Sequence, residues 1–229
     1  MDILKRGLNL LFFPRHCCAC KRALLKKENH ICAPCITTLP YTNAHLEKDN
    51  AIERIFWGRL KLEQAFSMLY FNKKGKVQNL MHELKYNGKK ELGEVLGNLY
   101  AEHLLKNIDL NHIDIIVPVP IHPKKKQIRG YNQSDFIAKG MGERLNIPMS
   151  DNSVEKNVHT SSQTNKNRQE RWENVDNTFT ILNEENLTNK HVLLIDDVLT
   201  TGSTIESCGN EILKLPGTKL SVATIAVGL

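Results

Sequence analysis

Apolar residues recur along this chain in two different registers. Across "VQNLMHELKY" and "KELGEVLGNLYAEHLLKNI" they return every three or four positions, which predicts two amphipathic helices. "SDFIAKGMGERLN" and "STIESCGNEILKL" carry the same period. Elsewhere the apolar residues run on without alternation. "IDIIVPVPI", "KHVLLID" and "LSVATIAVGL" are hydrophobic at nearly every position, the pattern of strands buried on both faces. "QAFSMLYFN" reads as a further strand, "NKKGK" as a turn and "FTI" as a short strand. Strands alternating with helices predict an α/β fold, an open parallel sheet flanked by helices on both faces. Ligands of such sheets bind beyond the carboxyl ends of the strands.

Two stretches stand outside this pattern. "KNVHTSSQTNKNRQERWENVDN", from Lys156 to Asn177, offers almost no apolar side chains beyond Val158, Trp172 and Val175. A polar segment of that length inside a domain favours a lid over a linker. The other is "HCCACKRALLKKENHICAPC", which holds five of the six cysteines. Cys17 with Cys20 and Cys32 with Cys35 form two C-x-x-C knuckles separated by eleven residues. Each knuckle presents two thiolates to one ion, so the pair predicts a closed, structural zinc site. Cys18, His16 and His30 lie close enough in sequence for one of them to replace a ligand. The expected division is a zinc-finger module over residues 1–45 and an α/β domain over 46–229. Cys208, alone in a helical stretch, is expected to pack in the core.

Composition changes this picture little. Of 229 residues, 41% are hydrophobic and 24% charged, as in an ordinary soluble protein. The net charge of +6 favours anionic partners without choosing among them. No apolar run reaches membrane-spanning length, and the N-terminal stretch is interrupted by Asp2, Lys5 and Arg6. A cytoplasmic chain with reduced thiols is therefore expected.

The chemistry gathers in "LLIDDVLTTGST". A buried strand ends at Asp196 and Asp197, and a helix begins near Ser203 or Thr204. Between them Val198, Leu199, Thr200, Thr201 and Gly202 form a loop whose amides and hydroxyls converge at a helix N-terminus, a site for a phosphate monoester. No Lys follows the glycine, which excludes a Walker A loop, and no G-x-G-x-x-G is present. The two carboxylates stand where they can accept hydrogen bonds from the hydroxyls of a ribose whose 5′-phosphate fills the loop. Magnesium would offset their charge.

"VLLIDDVLTTGST" resembles the phosphoribosyl-pyrophosphate (PRPP) motif of the type I phosphoribosyltransferases. "CCAC…CAPC", "LKYNGKKELG", "PVPIHPKKKQIRGYNQS" and "SSQTNKNRQERWENVDNTF" resemble, in order, blocks of the ComF family of competence-associated proteins. This resemblance implies a type I phosphoribosyltransferase-like domain behind an N-terminal zinc finger, and a link to DNA uptake in natural transformation. It also implies a glycosyltransferase reaction, displacement of pyrophosphate from PRPP with Mg²⁺ by an acceptor the sequence does not name. Arg129, in the loop after the second strand with Lys124, Lys125 and Lys126, would neutralise the pyrophosphate. Lys85 sits where the family has a lysine, and the polar segment corresponds to a hood loop bringing Arg168 and Arg171 over the diphosphate. The partners expected are PRPP or another ribose 5-phosphate ligand, single-stranded DNA or competence translocation proteins, and a second copy in a homodimer. The competing reading is a non-catalytic nucleotide or PRPP sensor, or a factor handling single-stranded DNA. Aromatic content of 6% is low for base-stacking platforms.

Overall fold

A computed structural model describes residues 15–157 and 178–228. A short helix α1 (Ala33–Thr37) closes the cysteine segment, and α2 (Ala51–Arg54) follows it. Then come β1 (Gln64–Tyr70), α3 (Lys76–Tyr86), α4 (Glu91–Leu105), β2 (Ile115–Pro118), α5 (Pro123–Arg129) and α6 (Gln133–Leu145). The chain continues through β3 (Val154–Lys156), β4 (Phe179–Ile181), β5 (His191–Leu199), α7 (Ser203–Leu213) and β6 (Lys219–Val227). Four strands pair in the order β1-β6-β5-β2, all parallel, with Leu194 opposite Val117 on one side and Val222 on the other. Strands β3 and β4 form a separate antiparallel pair.

The uninterrupted apolar strands have the reason the sequence gives them: both faces are covered. On β5, Leu193 and Ile195 join a core with α3, α4 and α6, while Val192 and Leu194 join a second core with α2 and α7. Cys208 is fully buried in the second core, as expected. Helices α4 and α6 lie against each other backbone to backbone. A Cβ on Gly97 would stand 2.1 Å from the Ile137 carbonyl oxygen, and one on Gly140 2.1 Å from that of Glu94. Only glycine permits that approach.

The structure differs from the expected elements in several places. The basic stretch after β2 is not a loop but the helix α5, which starts on Pro123 and is capped by the His122 ring accepting from the Lys124 amide. Proline at a first turn and Gly130 in the left-handed region beyond the end, at φ 80°, are ordinary helix punctuation. Strand β5 also runs through Asp196 and Asp197 to Leu199 instead of stopping at the carboxylates. The N-terminal cysteine segment packs directly on the α/β domain: Cys17, Cys18, Cys32 and Cys35 belong to the same buried cluster as Leu80, Leu84 and Tyr100. Among the described residues no helix is long and apolar enough to cross a membrane.

Candidate functional site

The carboxyl edge of the sheet brings the acid pair, the following loop and the ends of three helices together. Successive side chains on a strand point apart, and Asp196 and Asp197 accordingly find different partners. Asp197 is buried and its Oδ2 lies 3.0 Å from Lys85 Nζ, on the last turn of α3. Asp196 Oδ1 accepts from Ser134 Oγ at 3.1 Å, at the start of α6, and from the Asp197 amide at 2.8 Å. Burial, and next the charge of Asp197, push the Asp196 carboxyl up to about 7.

Beyond the pair, Asp196 and residues 198–205 line a small concavity of about 40 Å³. Val198 and Leu199 are turned inward and contribute main chain, whereas Thr200, Thr201, Ser203 and Thr204 are exposed. Gly202 caps α7 at φ 79° and supplies no capping side chain, so the first amides of the helix have no intrahelical partner; that of Ser203 donates to Thr201 Oγ1 at 3.5 Å. Thr201 Oγ1 and Ser203 Oγ lie 3.1 Å apart across its mouth. Arg59 braces the loop from outside: its guanidinium donates to the Thr201 carbonyl at 2.9 Å and pairs with Glu206 on α7. Arg59 and Ser134 carried no sequence signal of their own, since their roles arise only when the α2 turn and α6 fold against β5.

On the opposite side stands the basic helix α5. Lys124, Lys125 and Lys126 are exposed along it. Arg129, at its end, donates to Gln133 Oε1 at 2.7 Å and lies 5.6 Å from the centroid of the Tyr86 ring, next to Lys85. Burial lowers the pKa of Lys156 on β3, and Lys125 lowers it further, while Asp196 pulls it back up. Lys156 is not a residue the sequence singled out. Asp135, beside Ser134 on α6, is pushed up to about 6 by burial, with an Asn132 hydrogen bond opposing. Arg168 and Arg171, with the rest of the expected hood loop between 158 and 177, lie outside the described residues.

The Sγ atoms of Cys17, Cys20, Cys32 and Cys35 all lie within 4.8 Å of one another. Cys20 and Cys32 are 3.7 Å apart, the edge of a tetrahedron with Zn–S bonds of about 2.3 Å. The donor set fits zinc. Cys18 faces Lys89 Nζ at 3.7 Å instead, and neither His16 nor His30 joins the cluster. Nearby, burial would raise the Glu83 carboxyl, but the hydrogen bonds of Lys21 and Lys89 outweigh it and hold the group down at about 2.

A parallel sheet that delivers an acid pair into a hydroxyl-rich loop at a helix N-terminus has the architecture of a phosphoribosyl transferase domain. The model of that family matches residues 99–227, more than half of the chain, so this protein belongs to the phosphoribosyl transferase domain family. Its relatives include the DNA utilization protein YhgH of Escherichia coli K12, 26% identical over 202 residues, 86% of this chain and 84% of the relative. Competence protein F of Haemophilus influenzae is 37% identical over 115 residues, 50% of this chain and 48% of that protein. Competence protein ComFC of Bacillus subtilis is 24% identical over 206 residues, 89% and 80% of the two chains. These names agree with the ComF resemblance read from the sequence blocks.

Proposed function

We propose that this protein binds PRPP or a related ribose 5-phosphate compound with Mg²⁺ and transfers the phosphoribosyl group to an acceptor, in a process linked to DNA uptake. The observation that carries the reading is the continuity of the acid pair with the phosphate loop. The 5′-phosphate would occupy the concavity at the start of α7, held by amides from Thr201 to Thr204 and by the four exposed hydroxyls. The ribose hydroxyls would then donate to Asp196 and Asp197. Lys85 holds the Asp197 carboxylate in place, and Ser134 holds that of Asp196. Magnesium, when bound, supplies charge to the departing pyrophosphate, and the carboxylates and the diphosphate are the donor set that suits it.

Charge on the two sides of the cleft supports the same orientation. The acid pair would face the sugar, and Arg129 with the α5 lysines would face the diphosphate. The link to DNA uptake is carried by the relatives' names, DNA utilization and competence proteins. Pyrophosphate release from PRPP, measured over a panel of bases and amines, tests the transferase reading. Release that depends on one acceptor and on Asp196 and Asp197 is expected. Tight PRPP binding with no release for any acceptor would favour a sensor.

A further inference from the structure

Helix α3 is gripped along one face by the cysteine segment and presents a cation from the other. Lys76, Asn79 and Glu83 lie three and four positions apart, on one face of the helix. Lys76 Nζ donates to Thr38 Oγ1 at 2.6 Å, and Asn79 Nδ2 donates to the carbonyl of Ala19, inside the first knuckle, at 2.8 Å. Glu83 receives Lys21, the residue after Cys20, and Lys89 at 2.8 Å. Lys85 comes two residues after Glu83, roughly 200° around the helix, where it meets Asp197.

We propose that the cysteine module is a positioning device for the ribose site, with Lys21 acting through Glu83 to hold α3 at the rotation that sets Lys85 on Asp197. The assignment of that site rests on the reading given under Proposed function. The Glu83 side chain is only 7% exposed, so it must keep its cations while the chain is folded. Lys89 is carried on the segment just after α3, and its Nζ also lies 3.7 Å from Cys18 Sγ. Lys21 is carried on the knuckle, and its pair therefore ties the helix to a separate element. A helix turned or slid by about one ångström, less than the rise per residue, would lengthen the pair between Lys85 and Asp197. The apolar face of α3 (Val77, Leu80, Met81 and Leu84) sits in the core and opposes gross movement, but oily contacts tolerate small rotations that an ion pair does not.

Amine footprinting of the full chain reads Lys85 without any ligand. Wild type, Lys21→Gln, Lys21→Arg and Glu83→Gln are acylated under identical conditions, and the rate at Lys85 is followed by mass spectrometry. Zinc content, circular dichroism and ribose 5-phosphate affinity are measured in parallel. In wild type the Lys85 side chain is 21% exposed and occupied by Asp197. Its acylation should rise about fivefold in Lys21→Gln and Glu83→Gln, the change that roughly 1 kcal/mol produces, and return to the wild-type rate in Lys21→Arg. Ribose 5-phosphate affinity should fall in the same two variants. An unchanged Lys85 rate in both would overturn the proposal, as would equal rates in Lys21→Gln and Lys21→Arg. Wild type that fails to bind ribose 5-phosphate would remove the ribose reading, while the label still decides whether the module positions Lys85.

Discussion

Replacing Asp196 with Asn should make the protein more stable and less able to bind its ligand. The two carboxylates sit side by side at the end of a buried strand, and Asp196 holds its proton up to about 7 against an ordinary 3.8. The folded chain binds this proton more tightly than the unfolded chain, so stability falls as pH rises through this interval, and above about 7 the full penalty is in place. Taken at face value the rise is worth about 4 kcal/mol. Asp196 keeps some contact with solvent, which screens its charge, and about 2 kcal/mol is the working figure. Asn preserves the shape and can still accept from Ser134 and from the Asp197 amide. Urea denaturation in magnesium-free buffer should give variant and wild type similar midpoints near about pH 3, below the unfolded carboxyl's range, and separate them near about pH 8, where the variant should gain about 0.7 M for a slope of about 3 kcal/mol/M. Calorimetry at the higher pH should show ribose 5-phosphate affinity falling about tenfold, because an amide is a weaker acceptor for sugar hydroxyls than a carboxylate. A variant no more stable than wild type at the higher pH would refute the argument that the pair is kept at a cost to the fold.

Gly202→Val should damage the site by another route. A Cβ there would stand 2.9 Å from the Phe56 ring on a backbone at φ 79°, so a loss of about 1–3 kcal/mol is expected in thermal unfolding, together with loss of phosphate binding in the folded fraction. For the cysteine cluster, metal analysis of protein purified without chelator should find about one zinc per chain. Cys32→Ser should abolish it, and because these cysteines share a core with α3 and α4 the melting temperature of the whole chain should drop.

The sheet was legible because parallel strands buried on both faces have few alternative readings: β2 falls within its predicted run, and β5 and β6 begin within one residue of theirs, though β5 runs on to Leu199. The candidate site loop, from Asp196 to Thr204, was legible for a related reason: strand end, glycine and helix start fix one another locally. Helix α5 was missed because its Lys-rich stretch between Pro123 and Gly130 has no apolar stripe, and none of its residues is buried. Its stability comes from punctuation at the two ends, not from a hydrophobic face. The partners of the acid pair lay beyond the reach of local pattern. Lys85 is 112 positions from Asp197, and Ser134 is 62 from Asp196, and which cation or hydroxyl closes on a carboxylate is set by how α3 and α6 pack.

That packing also explains how two adjacent carboxylates persist at this strand end. Neither is neutralised completely. Lys85 supplies a full positive charge to Asp197, whereas the hydrogen bonds Asp196 receives from the described residues come from a hydroxyl and an amide, and burial and the charge of Asp197 push its carboxyl toward neutrality. A second lysine in place of Ser134 would settle the charge and leave nothing for a ligand to contribute. With Ser134 there, the remaining acceptor capacity of the pair is available to sugar hydroxyls and a divalent cation, whose binding would relieve the repulsion that the folded chain carries alone. On the proposed function, the electrostatic imbalance at Asp196 would be a source of affinity, and the same imbalance would set the pH at which that affinity appears: weak while Asp196 is protonated, and stronger as it ionises near about 7. Ribose 5-phosphate titrations across this range should show a steeper rise in wild type than in Asp196→Asn, where only the ionisation of the ligand's own phosphate near about 6 contributes, and parallel profiles in the two proteins would mean that Asp196 does not touch the ligand.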